Sequence, residues 1–153
     1  MKSLVVYVSH KGNTQRVAEA IGDVLAAHGT VDVLPVEEAP PIMEEDIDLL
    51  MIGGPTEGHG MTPEMSGFLD RLDVASVRGR AVAAFDTRVN WPRILSGSAA
   101  DGIGKRLEAA GAMVFKPQGS FIVSTEPVLL PGELERAREW AESVARSVVP
   151  VPA

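Results

Sequence analysis

Apolar residues recur along this chain with two periods. Leu4 to Val8 is a short β-branched run and predicts a first strand. Val17, Ala20, Ile21, Val24 and His28 then fall at helical spacing across 13–28, and Gly29 stands where a helix stop belongs. Val31 to Val36 alternate apolar and polar positions, which predicts a second strand near a sheet edge. The stretch 37–45, with Pro40-Pro41, reads as a polar loop. Ile47 to Gly53 is almost continuously apolar, as a central parallel strand buried on both faces requires. Thr62-Pro63-Glu64 supplies a cap hydroxyl, a proline and a first-turn acid for the next helix, whose stripe is Met65, Phe68, Leu69 and Leu72. Ala81 to Phe85 predicts a fourth strand. Ile103, Leu107 and Ala110 predict a helix closed by Gly111. Ala112–Phe115 and Phe121–Val123 are strand-like on either side of a bend at 116–119. Leu134, Ala137, Ala141, Val144 and Val148 give the last helix. Trp140 lies among them and reads as structural.

Strands alternating with helices imply a parallel sheet covered on both faces, and right-handed crossovers make it a three-layer αβα sandwich. No repeat, low-complexity tract or linker divides the chain, so 1–149 is expected to be one domain and 150–153 a frayed tail. Ligands of such sheets bind at the carboxyl ends of the strands. Function is therefore expected in the loops 9–14, 54–62 and 86–98.

Composition narrows the chemistry. The 153 residues include no cysteine, which excludes a disulfide scaffold, a thiol nucleophile and thiolate-held metal clusters. Fourteen basic against twenty-one acidic residues leave a net charge of −7, the wrong sign for nucleic acid and suited to basic partners. The apolar run at the N-terminus is too short for a spanning helix and lacks a signal peptide's features, so a cytoplasmic protein is expected.

The first loop, Ser9-His10-Lys11-Gly12-Asn13-Thr14, joins a strand to a helix N-terminus. Its hydroxyls, its amide and its backbone N–H groups can converge on an anion there, and Lys11 adds a cation. It is too short for a Walker A loop and lacks Gly-Lys-Ser/Thr. Nor does a dinucleotide fingerprint fit. Gly102-Ile103-Gly104 is followed by Leu107 where the third glycine belongs, and Gly58-His59-Gly60 by Pro63. No Gly-x-Ser-x-Gly elbow is present. A phospho-acceptor receiver domain needs acids where Ser9 and Gly53-Gly54 stand. His10 and His59 lie on separate loops, and no metal site is expected.

Ser-x-x-Gly-Asn-Thr directly after the first strand resembles the phosphate loop of the flavodoxin family. Similarity extends through Val-Ala-Glu-Ala-Ile (17–21), Ile52-Gly53-Gly54-Pro55-Thr56, Phe68-Leu69-Asp70-Arg71-Leu72, Ala84-Phe85-Asp86-Thr87-Arg88 and Gly132-Glu133-Leu134-Glu135-Arg136-Ala137. It covers nearly the whole chain and is similar to the small standalone flavodoxin-like proteins of bacteria and archaea. Lys11 departs from the family, standing where many members carry a hydroxyl residue.

The resemblance implies a five-stranded sheet in the order 2-1-3-4-5 and bound FMN. It implies phosphate contacts from Ser9, His10, Lys11, Gly12, Asn13 and Thr14. Ring contacts are implied from Pro55, Thr56, Glu57, Gly58 and His59 after the third strand. After the fourth they are implied from Asp86, Thr87, Arg88, Asn90 and Trp91. His59 and Trp91 are the stacking candidates, and Arg88 and Arg93 bring positive charge, free or paired with acids such as Glu57. The implied function is electron transfer by an FMN carrier acting on basic redox proteins or a small acceptor, as a monomer or weak dimer. The alternatives are an NAD(P)H:quinone-type reductase and a flavin-free interaction protein. The chain has no nicotinamide-binding motif, which favours the carrier.

Overall fold

The computed structural model describes residues 1–148, and the tail expected at 150–153 lies outside the described residues. The elements follow in order as β1 (Lys2–Tyr7), α1 (Asn13–Ala26), β2 (Thr30–Pro35), β3 (Leu49–Pro55), α2 (Pro63–Arg71) and α3 (Val74–Val77). They continue as β4 (Ala81–Val89), α4 (Arg93–Ser96), α5 (Ala99–Ala109), β5 (Met113–Val114), β6 (Gly119–Val123) and α6 (Glu133–Ser147). All pairings between these strands are parallel, in the order β2-β1-β3-β4-β5, with β6 also against β4. This is the expected 2-1-3-4-5 order with its fifth strand broken. Met113–Val114 pair with Ala81–Val82, and Gly119–Val123 pair with Phe85–Val89.

Alternate side chains of each strand feed opposite faces, because the strand period is two. Leu4, Val6, Ile52, Val82 and Ala84 pack with Met65, Phe68, Ile103 and Leu107 on the α2/α5 face. Val5, Met51, Ala83 and Phe85 pack with Val17, Ile21, Ala137 and Ala141 on the α1/α6 face. Gly53 shows how tightly the central pair fits: a Cβ there would lie 2.2 Å from Cε2 of Phe85.

Local signals hold at several element ends. Thr62 caps α2, its Oγ1 accepting from Met65 N at 3.2 Å, with Pro63 and Glu64 in the first turn. Ser98 caps α5 in the same manner. Two short helices, α3 and α4, are absent from the periodicity because four residues cannot show one. The largest difference is β4. It continues four residues beyond Phe85, so Asp86, Thr87, Arg88 and Val89 are strand residues rather than the start of a loop. Charged and polar side chains there read as loop, but their partners on β6 and α5 make the extended backbone stable.

Candidate functional site

The carboxyl ends of β1, β3, β4 and β6 surround a cleft of about 170 Å³. The first loop lines it with His10, Lys11, Asn13 and Thr14. The end of β3 and its following loop contribute Pro55, Thr56 and Glu57. Thr87, Arg88 and Val89 come from β4, and Val123 and Pro127 from the end of β6. The structure thus brings together nine of the residues singled out in the sequence. Val89, Val123 and Pro127 were missed. The only signal for the last two was their place at the carboxyl end of a parallel strand, the rule that located the other three loops.

Gly12 sits at the N-cap of α1 in the left-handed region, at φ +88°, and has no side chain to cap the helix. The first-turn N–H groups of Asn13 and Thr14 are left without intrahelical acceptors by helix geometry. Ser9 serves Gln15, whose N–H donates to Ser9 Oγ at 3.2 Å. Lys11 is exposed and has no ion-pair partner among the described residues.

Other side chains are committed to building the walls. The Asn13 amide donates through Nδ2 to Pro127 O at 3.0 Å, and its Oδ1 accepts from Leu129 N at 3.3 Å. Asn13 therefore ties the first loop to the last, and its second Nδ2–H and its backbone N–H remain for a ligand. Thr14 and Thr87 are both buried, with their hydroxyls 2.9 Å apart at the floor. Thr56 N donates to Thr87 O at 2.8 Å, and Thr56 Oγ1 accepts from Ala99 N. Arg88 donates through Nε to Ser120 Oγ at 2.8 Å and through Nη1 to Trp91 O at 2.9 Å. Among the described residues no carboxylate pairs with it, so its charge is not neutralised there by contact.

Seven of the named residues lie outside this lining: Ser9, Gly12, Gly58, His59, Asp86, Asn90 and Trp91. Asp86 is 0% exposed. Its Oδ1 accepts from Ser120 Oγ at 2.6 Å, and its Oδ2 accepts from Ser98 Oγ at 2.7 Å and Ala100 N at 3.0 Å. The carboxylate thus joins β4 to β6 and to the start of α5 beneath the site. Gly58 and His59 both have positive φ, at 56° and 72°, in a tight turn closed by paired Glu57 and Gly60 backbone bonds. The His59 ring lies 2.9 Å from Ile94 O, which fastens this turn to α4. Trp91 is 52% exposed, and Ile94 and Leu95 of α4 are exposed as well. Arg93 lies 3.6 Å from Asp101, not against Glu57. Trp140 is structural as expected, packed edge-on to Phe85 and Phe121.

Glu57 is instead held by His10. The ring's Nδ1 lies 2.8 Å from Glu57 Oε2, and its Nε2 contacts Glu64 Oε2. The two acids raise the His10 pKa above its ordinary 6.5, Glu64 being the larger cause. His10 in turn lowers Glu64 below 4.5. The sequence contains no sign of this trio, since its members lie 47 and 54 residues apart. The acids occupy opposite edges of one ring and cannot converge on an ion. No metal-binding group occurs among the described residues.

The chain belongs to the flavodoxin family: the family model described as Flavodoxin matches residues 5–140. A flavodoxin of Synechocystis sp. is 31% identical over 80 residues, 52% of this chain and 47% of that protein, so the chain spans about half the length of this curated relative. Solved structures share the fold, two flavodoxins among them. A flavodoxin from the domain Archaea gives a TM-score of 0.81 at 24% identity, over 96% of this chain and 98% of that one. Oxidised Flavodoxin 1 from Bacillus cereus gives 0.81 at 19% identity, over 97% and 100%. The cofactor that this family implies is FMN. The donor set fits its phosphate: a helix N-terminus with glycine at its N-cap, buried hydroxyls and two cations all line or adjoin one cleft. No helix among the described residues is long and apolar enough to cross a membrane.

Proposed function

We propose that this chain is an FMN-binding electron carrier whose cleft at the carboxyl ends of β1, β3, β4 and β6 is the cofactor site. The observation that carries the reading is the Gly12-led N-terminus of α1 opening into the same cleft as Lys11 and Arg88. The first-turn N–H groups and the hydroxyls of Ser9, Thr14 and Thr87 hold the phosphate, and Lys11 neutralises its charge. The peptide groups from Pro55 to Gly60 meet the ring edge, and Trp91 covers one face. Bound FMN supplies the redox chemistry. The protein's part is to bind it, orient it and limit water at the ring. The buried Asp86 bonds keep β4 and α5 fixed while this happens. One sheet runs from β1 to β6, which supports reading residues 1–149 as one working domain. The net −7 suits docking on basic redox proteins.

Titration of the purified apoprotein with FMN, followed by quenching of flavin fluorescence, tests the reading. Saturation at micromolar FMN with a shifted visible spectrum is expected. Unquenched fluorescence at those concentrations would leave only the flavin-free alternative. A holoprotein that oxidises NADPH rapidly by itself would be a reductase rather than a carrier.

A further inference from the structure

His10 bridges two loops that the cofactor must touch together. Its Nδ1 meets Glu57 in the loop after β3, and its Nε2 meets Glu64 in the first turn of α2. A neutral imidazole carries one N–H and can donate to one of these acids, leaving a lone pair facing the other. With both acids ionised, the two contacts together require the doubly protonated ring. We infer that His10 is a protonation-controlled clasp, closed as the imidazolium, that holds the phosphate loop against the Glu57 loop and makes FMN affinity fall as the ring loses its proton. This rests on the proposed FMN site.

The charged groups around the ring are Glu57 and Glu64, with exposed Lys11 next in the chain. Opening the clasp acts on the cofactor in two ways. It lowers the fraction of molecules with both loops in place, and apparent affinity falls with that fraction. It also leaves two carboxylates without their cation beside a phosphate dianion. The acids hold His10 above its ordinary 6.5, so the closed form is fully present below that value and is lost as pH rises through the raised one. At the acid end, closure is lost as pH falls through the depressed value of Glu64, below 4.5. Coupling is reciprocal, so bound FMN must raise the His10 midpoint further.

The test measures FMN dissociation constants between pH 5.5 and 9 for the wild type and for His10→Gln. Comparing them removes the phosphate's own second ionisation, which both share. The wild type's advantage over the variant is expected to shrink about threefold from the acid to the alkaline end. In parallel, the His10 ring signal, assigned by its loss in His10→Gln, is titrated by NMR in apoprotein and holoprotein. A higher midpoint with FMN is expected, and Glu64→Gln should lower the apoprotein midpoint. FMN bound with a constant wild-type to variant ratio and an unmoved His10 midpoint would overturn the clasp alone. Failure to bind FMN at any pH would overturn the cofactor site and the clasp with it.

Discussion

Replacing Asp86 by alanine should destabilise the apoprotein by about 3 kcal/mol. The carboxylate is wholly buried and accepts three bonds, from Ser120, Ser98 and Ala100 N. Each is charge-assisted and worth about 1.5–3 kcal/mol, but the carboxylate's own desolvation opposes their sum. Removing the side chain removes both effects. Ser120 keeps the Arg88 Nε–H as a donor and Ser98 keeps the Asp101 N–H, so each hydroxyl can turn to a new acceptor. The Ala100 N–H cannot, because it is fixed in the first turn of α5 and buried. Stranding it costs about 1–3 kcal/mol, and the cavity adds about 1. Asp86→Asn preserves the volume and should lose roughly half as much. At this chain size 1 kcal/mol moves Tm by about 2–4 °C, so Asp86→Ala should melt about 6–12 °C lower. Thermal and urea unfolding of the apoprotein measure this. A Tm within a degree of wild type, or an Asp86→Asn protein of unchanged Tm that no longer binds FMN, would refute the reasoning. The second outcome would make Asp86 a ligand contact rather than a strut.

Thr14→Ala should weaken FMN by about 1–2 kcal/mol, read as a fluorescence dissociation constant. Thr87→Ala should behave similarly, and the double variant should cost less than the sum because the two hydroxyls are mutual partners. Gly53→Ala should destabilise by about 1–3 kcal/mol in urea, since its Cβ would meet the immobile Phe85 ring. Phe85→Leu in the same chain should restore part of that loss. In a Trp140→Phe protein, where Trp91 is the sole tryptophan, FMN should quench most of the indole emission. Unchanged emission would remove Trp91 from the site.

Most of the architecture was legible because strands covered on both faces need unbroken apolar runs and the helices over them need one apolar stripe. Leu49 to Ile52 are buried on both faces, and their unbroken apolar run says so. The first loop was legible for a different reason, since its spacing and glycine are dictated by an anion at a helix start. Asp86 was not. An acid after an apolar run reads as a turn to solvent, and the serines that satisfy it stand 12 and 34 residues away. The His10 trio was hidden in the same way. Asn13 reads as a phosphate donor, and only the fold reveals that its amide also bonds Pro127 and Leu129. Polar side chains announce that they need partners, but the chain's order does not say which ones.

The Asn13 tether bears on when this protein can acquire its cofactor. Its partners lie 114 and 116 residues further along the chain. At about 5–20 residues per second, a ribosome makes the first loop about 6–23 seconds before Pro127 exists. During that interval the phosphate loop has no far wall, and Val123 and Pro127 are missing from the cleft. Cofactor loading therefore belongs after synthesis has passed the last strand. A chain stopped short of residue 123 should leave translation colourless, however much FMN the cell contains.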